Sequence, residues 1–280
     1  MHIMVKERIR SLHQDMPRNQ KILAEFVIDH IEEIPFWTVH TLAGEAGTST
    51  ASVVRLAQRL GFSGYTAMRD DVVNLHKSDL NRDYVSRIET LDGDVLSRVA
   101  NQDVVDINDT LNHLNRADFK IAVQYILGAN RVYTAGLGIS HLMSEILAYQ
   151  LNQVGVPAIS LRTGDTNFLE QLAFFEKQDT LIAFSYPPFS KDTIQLAKLS
   201  REKGLKVIAI TNKQAAPISF HTDISLPVKS KNILYTNAFA AISVIINALA
   251  TECAHLDPAR AQLMLSHYEL INGISDEPTS

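Results

Sequence analysis

The apolar positions of this chain change rhythm near residue 130, and the change separates two kinds of structure. Up to residue 77 they recur at helical spacing. Ile22, Leu23, Phe26, Val27 and Ile31 fit one helix, and Pro17 suits its first position, where a missing N–H costs nothing. Pro35 interrupts the pattern. Thr38 is placed to cap the next helix, whose inward side is Val39, Leu42, Ala43 and Ala46. Gly47 follows where a left-handed residue turns the chain sharply. Thr48 or Ser49 then caps a second helix with Val53, Leu56, Ala57 and Leu60 inward, and Gly61 closes it. Phe62 and Tyr65 flank Gly64 and lead into a last helix, TAMRDDVVNLHK.

Residues 78–128 are polar and mostly helical in pattern. Val95, Leu96, Val99, Val104, Ile107 and Leu111 keep helical spacing with a phase slip, which predicts a linker helix packed on the second domain or on a partner subunit. From Asn130 the apolar residues gather into short runs, RVYTA, AISL, TLIAF, KVIAI and DISLPV, separated by helical stretches such as HLMSEILAYQLNQVG and DTIQLAKLSREKG. Strands alternating with helices predict a doubly wound parallel sheet flanked by helices. The stretch YTNAFAAISVIINALATECA is apolar almost all round, so its helix is expected to be buried at a domain or dimer interface. The expected organisation is an all-α domain over 1–77, a helical linker or dimerisation segment over 78–128, an α/β domain over 129–271 and a flexible tail over 272–280.

A length of 280 residues suits about two domains. No apolar run reaches the roughly 18 residues of a membrane span, and MHIMVKERIRSLHQ lacks the apolar core of a secretory signal. A cytoplasmic protein without membrane partners is expected. The single cysteine, Cys253, excludes an intrachain disulfide and sits in an apolar stretch as a core residue. His40, His76, His113 and His255 are scattered, and there is no Cys cluster or H-E-x-x-H, so neither a metal nor a cofactor is expected. His221 lies near Asp223, a spacing that suits a local hydrogen bond.

The net charge of −5 argues at first against nucleic acid as a partner. DNA responds to the local field, however, and from Gly47 to Arg69 there is no Asp or Glu, while Arg55, Arg59 and Arg69 are present. Two helices joined at Gly47 have the layout of a helix-turn-helix, whose second helix enters the major groove of double-stranded DNA. Thr48, Ser49, Thr50 and Ser52 at its start can approach base edges or phosphates. Arg55 is one turn further on, and Arg59, Ser63, Tyr65 and Arg69 are better placed for the phosphate backbone. One such unit reads one half-site. A homodimer reads two, about 34 Å or a multiple apart; a homotetramer stays open.

Two strand-loop-helix turns can hold a small anion. Gly136 and Gly138 follow RVYTA, and Ser140 opens a helix whose N–H groups and positive end converge. The pattern lacks the third glycine of a dinucleotide fingerprint, since position 141 is His. After TLIAF, the residues Ser185, Ser190 and Thr193 surround a second turn. Turns from neighbouring strands can clasp one ligand at the carboxyl edge of the sheet.

Together these residues resemble the RpiR family of bacterial transcription regulators, in which a helix-turn-helix precedes a sugar isomerase (SIS) domain. The resemblance is specific at TVHTLAGEAGTSTASVVRLAQRLGFSGY and at KVIAITN after the DTIQLAKLSREKG helix. It implies a regulator of a carbohydrate or related catabolic operon, more usually a repressor, whose SIS domain binds a phosphosugar-like effector. It also implies that Gly136, Gly138 and Ser140 form the first ligand loop and Ser185, Ser190 and Thr193 the second. The chain departs from the family's S-Y-S-G-x-T loop, reading Ser185-Tyr186-Pro187-Pro188-Phe189-Ser190 instead. Each proline removes a donor and holds φ near about −65°, so the effector is expected to differ from a standard phosphosugar or to bind in another pose. Two alternatives stand beside this reading. One is a ketose–aldose phosphate isomerase with its base among His141, Glu145, Asp165, Glu170 and His221. The other is a regulator whose SIS domain only dimerises.

Overall fold

The computed structural model describes residues 5–31, 33–73, 93–164, 166–231 and 238–275. They belong to two compact units, Met1–Thr90 and Leu91–Ser280.

The first unit is helical: α1 (Val5–Leu12), α2 (Arg18–Asp29), α3 (Val39–Glu45), α4 (Thr50–Arg59) and α5 (65–73). Its core joins Ile9, Leu23, Val27, Leu42, Val53, Leu56, Leu60 and Met68. Ile22 keeps the helical spacing of the other apolar residues of α2, yet it is 54% exposed, one position off the buried stripe of Leu23 and Val27. Pro17 is the cap of α2 rather than its first residue, and its carbonyl accepts the Gln20 and Lys21 N–H groups. Thr38 caps α3 by accepting the Thr41 N–H at 3.1 Å. Gly47 takes φ +60°, and α3 ends in paired bonds, Thr48 N–H to Ala43 O at 2.8 Å and Gly47 N–H to Gly44 O at 3.1 Å. Ser49 then caps α4, accepting the Ser52 N–H at 3.2 Å. The turn between the two helices therefore has its backbone groups paired from both sides.

The second unit begins with α6 (Val95–His113) and α7 (Arg116–Gly128). Five parallel strands follow, β1 (Val132–Ala135), β2 (Ala158–Ser160), β3 (Thr180–Ser185), β4 (Lys206–Thr211) and β5 (Ile224–Pro227). These are the five runs expected, in the order β2-β1-β3-β4-β5. Crossovers α8 (Ile139–Gln153), α9 (Phe168–Leu172) and α10 (Lys191–Lys203) lie between them, and α11 (Ala240–Leu256) and α12 (Pro258–Ser275) complete the unit. One sheet face, carrying Val132, Ile182, Phe184, Ile208 and Leu226, packs with Met143 and Leu147 of α8 and with Ile242, Ile245 and Leu249 of α11. The other is covered by α9 and α10; there Tyr133 stacks on Phe175 with ring centroids 3.8 Å apart. Cys253 is buried in the first of these layers, and burial pushes its thiol up to about 12.

Helix α6 departs from its apolar pattern. Of the six positions that keep helical spacing, Val95, Leu96, Val99, Val104 and Leu111 are each at least 37% exposed, and Ile107 packs against the core. The buried residues are polar. Asp106 accepts the Lys231 N–H at 2.6 Å and the Gln102 side chain at 2.9 Å, and Thr110 accepts the Lys229 N–H at 3.0 Å. Pairing the backbone that leaves β5 decides which face turns inward, because an unpaired buried N–H costs more than an exposed valine. Helix α12 runs to Ser275, through the start of the expected tail; 276–280, like 78–92 of the linker, lie outside the described residues. Among the described residues no single helix is long and apolar enough to cross a membrane.

Asp106→Ala removes the acceptor and orphans the Lys231 N–H. It is expected to lower unfolding free energy by about 1–3 kcal/mol. Asp106→Asn, which keeps an acceptor, should lose less, as thermal unfolding of the two variants will measure.

Candidate functional site

The start of α4 is a polar, acid-free surface. The Ser49 and Ser52 hydroxyls share a hydrogen bond at 2.9 Å, and the Ser52 oxygen also receives Arg55 Nη2 at 3.4 Å. Arg55 is exposed, and Ser52 steadies its guanidinium over the first turn. Thr48 and Thr50 are half-buried beside it, and Ser49 and Ser63 are exposed. A groove of about 470 Å³ runs along this surface, lined by Asn19, Gln20, Leu23, Thr48, Ser52 and Arg55. Asn19 and Gln20 carry no local signal as neighbours of α4, because they arrive from the start of another helix.

Three other residues of the expected set are already engaged. Arg59 donates from Nη2 to Asp15 O at 2.5 Å and from Nη1 to Gln20 Oε1 at 3.4 Å. Arg69 pairs with Asp70 at 3.2 Å. Tyr65 corrects the expectation: it is 5% exposed, and its hydroxyl donates to Trp37 O at 2.9 Å. Burial pushes its phenol up to about 12, with the Arg69 charge pulling the other way. A ring in the core cannot reach a phosphate; it fixes α5 against the segment that precedes α3.

In the second unit the strand order reverses between β1 and β3, which opens a crevice at their carboxyl ends. Gly136 is buried, and a Cβ there would lie 2.6 Å from the Ser140 carbonyl, so only glycine fits. Gly138, with φ +60° and ψ −131°, caps α8; no capping side chain and no acidic residue occupy that helix's first turn. Ser140 is buried just inside it. On the other side, Ser185 ends β3 and Tyr186 follows it, the two pointing to opposite sheet faces, both buried, with hydroxyls that find no partner. Burial raises the Tyr186 phenol well above its ordinary value. Pro187 and Pro188, joined by a cis peptide, lead to Ser190, whose oxygen accepts the Thr193 N–H at 3.2 Å. Thr193 is fully buried with its own hydroxyl unpartnered. Asn212, just past β4, adds an unpartnered amide oxygen beside Thr211, which donates to Ser185 O at 2.6 Å. Tyr186 and Asn212 were not among the expected site residues. Their signal in the sequence is only their place, directly after an apolar run.

The candidate bases are dispersed. Glu145 is held by Arg162 at 2.6 Å and by His141 at 3.5 Å. Glu170 closes a capping box with Asn167. His221 precedes β5 and so lies at the amino edge of the sheet, opposite the crevice; burial, with Lys198 and Arg201 nearby, lowers its pKa. Asp223 accepts the Val207 N–H rather than pairing with His221. Asp165 lies outside the described residues. Among the described residues no group of three or more His, Cys, Asp or Glu could hold a metal ion.

Residues 3–78 match the family model of a helix-turn-helix domain of the rpiR family, and residues 125–252 match that of the SIS domain. The uncharacterized HTH-type transcriptional regulator YfhH of Escherichia coli K12 is 26% identical over 92% of this chain and 88% of its own. The uncharacterized HTH-type transcriptional regulator YbbH of Bacillus subtilis 168 is 24% identical over 96% and 93%. Among solved structures, the Vibrio vulnificus NanR protein complexed with ManNAc-6P shares the fold over 96% of this chain and 98% of its own, at a TM-score of 0.70 and 22% identity. The sugar isomerase domain of an RpiR transcription factor from Sphaerobacter thermophilus covers 62% of this chain and 98% of its own, at 0.61 and 24%.

The burial of Tyr65 generates a test. Its folded pKa exceeds the ordinary 10.0, so the contribution is complete below about pH 10 and is lost as pH rises towards about 12. Tyr65→Phe is expected to cost about 1 kcal/mol near neutrality through the lost hydrogen bond and to flatten the alkaline decline. Denaturation followed from neutral to alkaline pH will measure both.

Proposed function

Because the chain belongs to the RpiR family, a helix-turn-helix domain joined to a SIS domain, we propose that it is a sequence-specific DNA-binding transcription regulator gated by a small molecule. The observation that carries this reading is the start of α4, where an acid-free surface presents Arg55 steadied by Ser52. In this reading Thr48, Ser49, Thr50 and Ser52 lie against the major groove. Arg55 reads a base edge, and Ser63 and Arg69 meet phosphates. Two copies related by a two-fold axis read two half-sites.

The second unit is the sensor. Its effector is a small anionic, phosphosugar-like molecule in the crevice bounded by Gly136, Gly138, Ser140, Ser185, Ser190 and Thr193. The unpartnered hydroxyls of Ser185 and Thr193 support a polyhydroxylated ligand, since buried hydroxyls call for partners. NanR, bound to ManNAc-6P on the same fold, gives the reading a precedent in another protein. The protein acts as a repressor of a carbohydrate or related catabolic operon and carries out no isomerisation. Glu145 is already held by Arg162 and His141, and Glu170 by its capping box, which supports that last point.

The test is binding to DNA upstream of the protein's own gene, with and without a panel of sugar phosphates, sugar acids and neutral sugars. Arg55→Ala is expected to lower affinity for the preferred site by roughly 10- to 100-fold and for random DNA far less. An equal loss on both would reassign Arg55 to a phosphate. Arg69→Ala is expected to weaken both duplexes alike and to reduce the salt slope by about one. A regulator blind to every compound would leave the SIS domain as an assembly module.

A further inference from the structure

Two arginines grip the far end of α4, and each spends guanidinium donors on the protein itself. Arg59, in the last turn of α4, reaches back to Asp15 O at 2.5 Å and to Gln20 Oε1 at 3.4 Å. These acceptors lie 44 and 39 positions earlier, on the short 3-10 turn His13–Asp15 before α2 and in the first turn of α2. Arg8, from α1, donates Nη1 to Leu60 O at 2.9 Å, pairing a carbonyl that the end of α4 leaves open. Gly61 makes room for it: a Cβ there would lie 2.2 Å from Arg8 Nη1. The end of α4 is thus tied to α1 by one guanidinium and to the α2 entry by another. Gln20 also lines the groove beside Arg55, so one end of the tether belongs to the surface proposed to read DNA.

We infer that Arg59, supported by Arg8, is a positioning residue that sets the angle of α4 relative to α2, and so aims Arg55, rather than a residue that binds phosphate. The inference rests on the DNA-reading role proposed for α4. A planar guanidinium bridging two acceptors fixes direction as well as distance, which a lysine's single ammonium on a flexible stem cannot reproduce. A helix whose far end swings loses alignment at its base-reading end while its charge stays the same. The consequence is a loss of specificity without a loss of electrostatic attraction.

The experiment titrates the full chain with its preferred upstream duplex and with a random duplex at several salt concentrations. It compares the wild type with Arg59→Ala, Arg59→Lys, Arg8→Ala and Gln20→Leu, each checked for retained helicity by circular dichroism. Arg59→Ala and Arg59→Lys are both expected to lose roughly tenfold on the preferred duplex, with little change on random DNA. The slope of log affinity against log salt should stay at the wild-type value in the lysine variant and move by less than half a unit in the alanine variant. Arg8→Ala and Gln20→Leu should shift the ratio of the two affinities in the same direction, and Gln20→Leu keeps the measurement available should Arg59→Ala fail to fold. Full rescue by lysine together with a slope lower by about one in the alanine variant would make Arg59 a phosphate contact and overturn the inference. Unchanged affinities in all four variants would overturn it too, leaving the bonds as packing alone. A wild-type chain that prefers no duplex over another would remove the DNA-reading role itself, a failure distinct from either of these.

Discussion

A helix end leaves backbone groups unpaired, and the way each end in this chain is completed decides what that end can do. The carboxyl end of α3 is closed by its own backbone through Gly47, and the amino end of α4 by Ser49, so the turn between them needs nothing from outside. That self-sufficiency leaves Arg55 and the hydroxyls of Thr48 and Thr50 available at the surface. The carboxyl end of α4 is finished by Arg8 instead, a side chain from another helix, which makes the orientation of α4 depend on α1. The same rule explains α6, where Asp106 and Thr110 complete the backbone beyond β5 and thereby choose which face of the helix is buried.

Electrostatics follows from this local arrangement rather than from the total. An acidic chain of net charge −5 still presents a stretch without carboxylates from Gly47 to Arg69. Within it the three arginines are not equivalent. Arg55 is exposed and leans on a serine, Arg59 is tied to a backbone carbonyl and an amide, and Arg69 shares its charge with Asp70. Charge alone would count three equal cations; hydrogen-bond partners separate one exposed guanidinium, one bound to the chain before α2 and one partly neutralised. The exposed pair of Arg69 with Asp70 is weak in water, so Asp70 holds that guanidinium only loosely.

The sequence made the elements legible and left their cross-chain partners hidden. The five apolar runs became five parallel strands because a run buried on both faces has few other structures open to it. Gly47 and Ser49 were readable because a left-handed turn and an N-cap each demand a small set of residue types. Tyr65 was misread: its spacing beside Gly64 suited an exposed flank, and nothing local announced that Trp37 O, 28 positions away, would receive its hydroxyl. The face of α6 was hidden for the same reason, since its partners at 229 and 231 are more than 100 positions away. Periodicity says which residues share a face; it does not say whether that face turns inward when polar groups there have backbone to satisfy. Asn19 and Gln20 beside α4, and Tyr186 and Asn212 beside the crevice, depend on packing that no local pattern encodes.

The crevice between β1 and β3 applies the same principle to the proposed effector. Its two helix starts are not equivalent. The start of α10 is already completed: Ser190 accepts the Thr193 N–H, Asp192 supplies a negative charge in the first turn, and Pro187 and Pro188 bring no N–H groups. An anion there meets a carboxylate and a backbone poor in donors. The start of α8 has no capping side chain and no acid in its first turn, and Gly136 passes so close to Ser140 that no side chain intervenes. One N–H is taken at each start, that of His141 by Gly138 O at 3.1 Å on α8, so what sets α8 apart is a positive end with no carboxylate beside it. In the proposed pose the charge of the effector therefore lies at the first loop, away from Asp192. The neutral hydroxyls of Ser185 and Thr193 then suit the uncharged end of the same ligand. A ligand reversed in this way would bridge the two loops with its charge on α8 and its hydroxyls under α10, and so couple two crossovers that pack on opposite faces of the sheet.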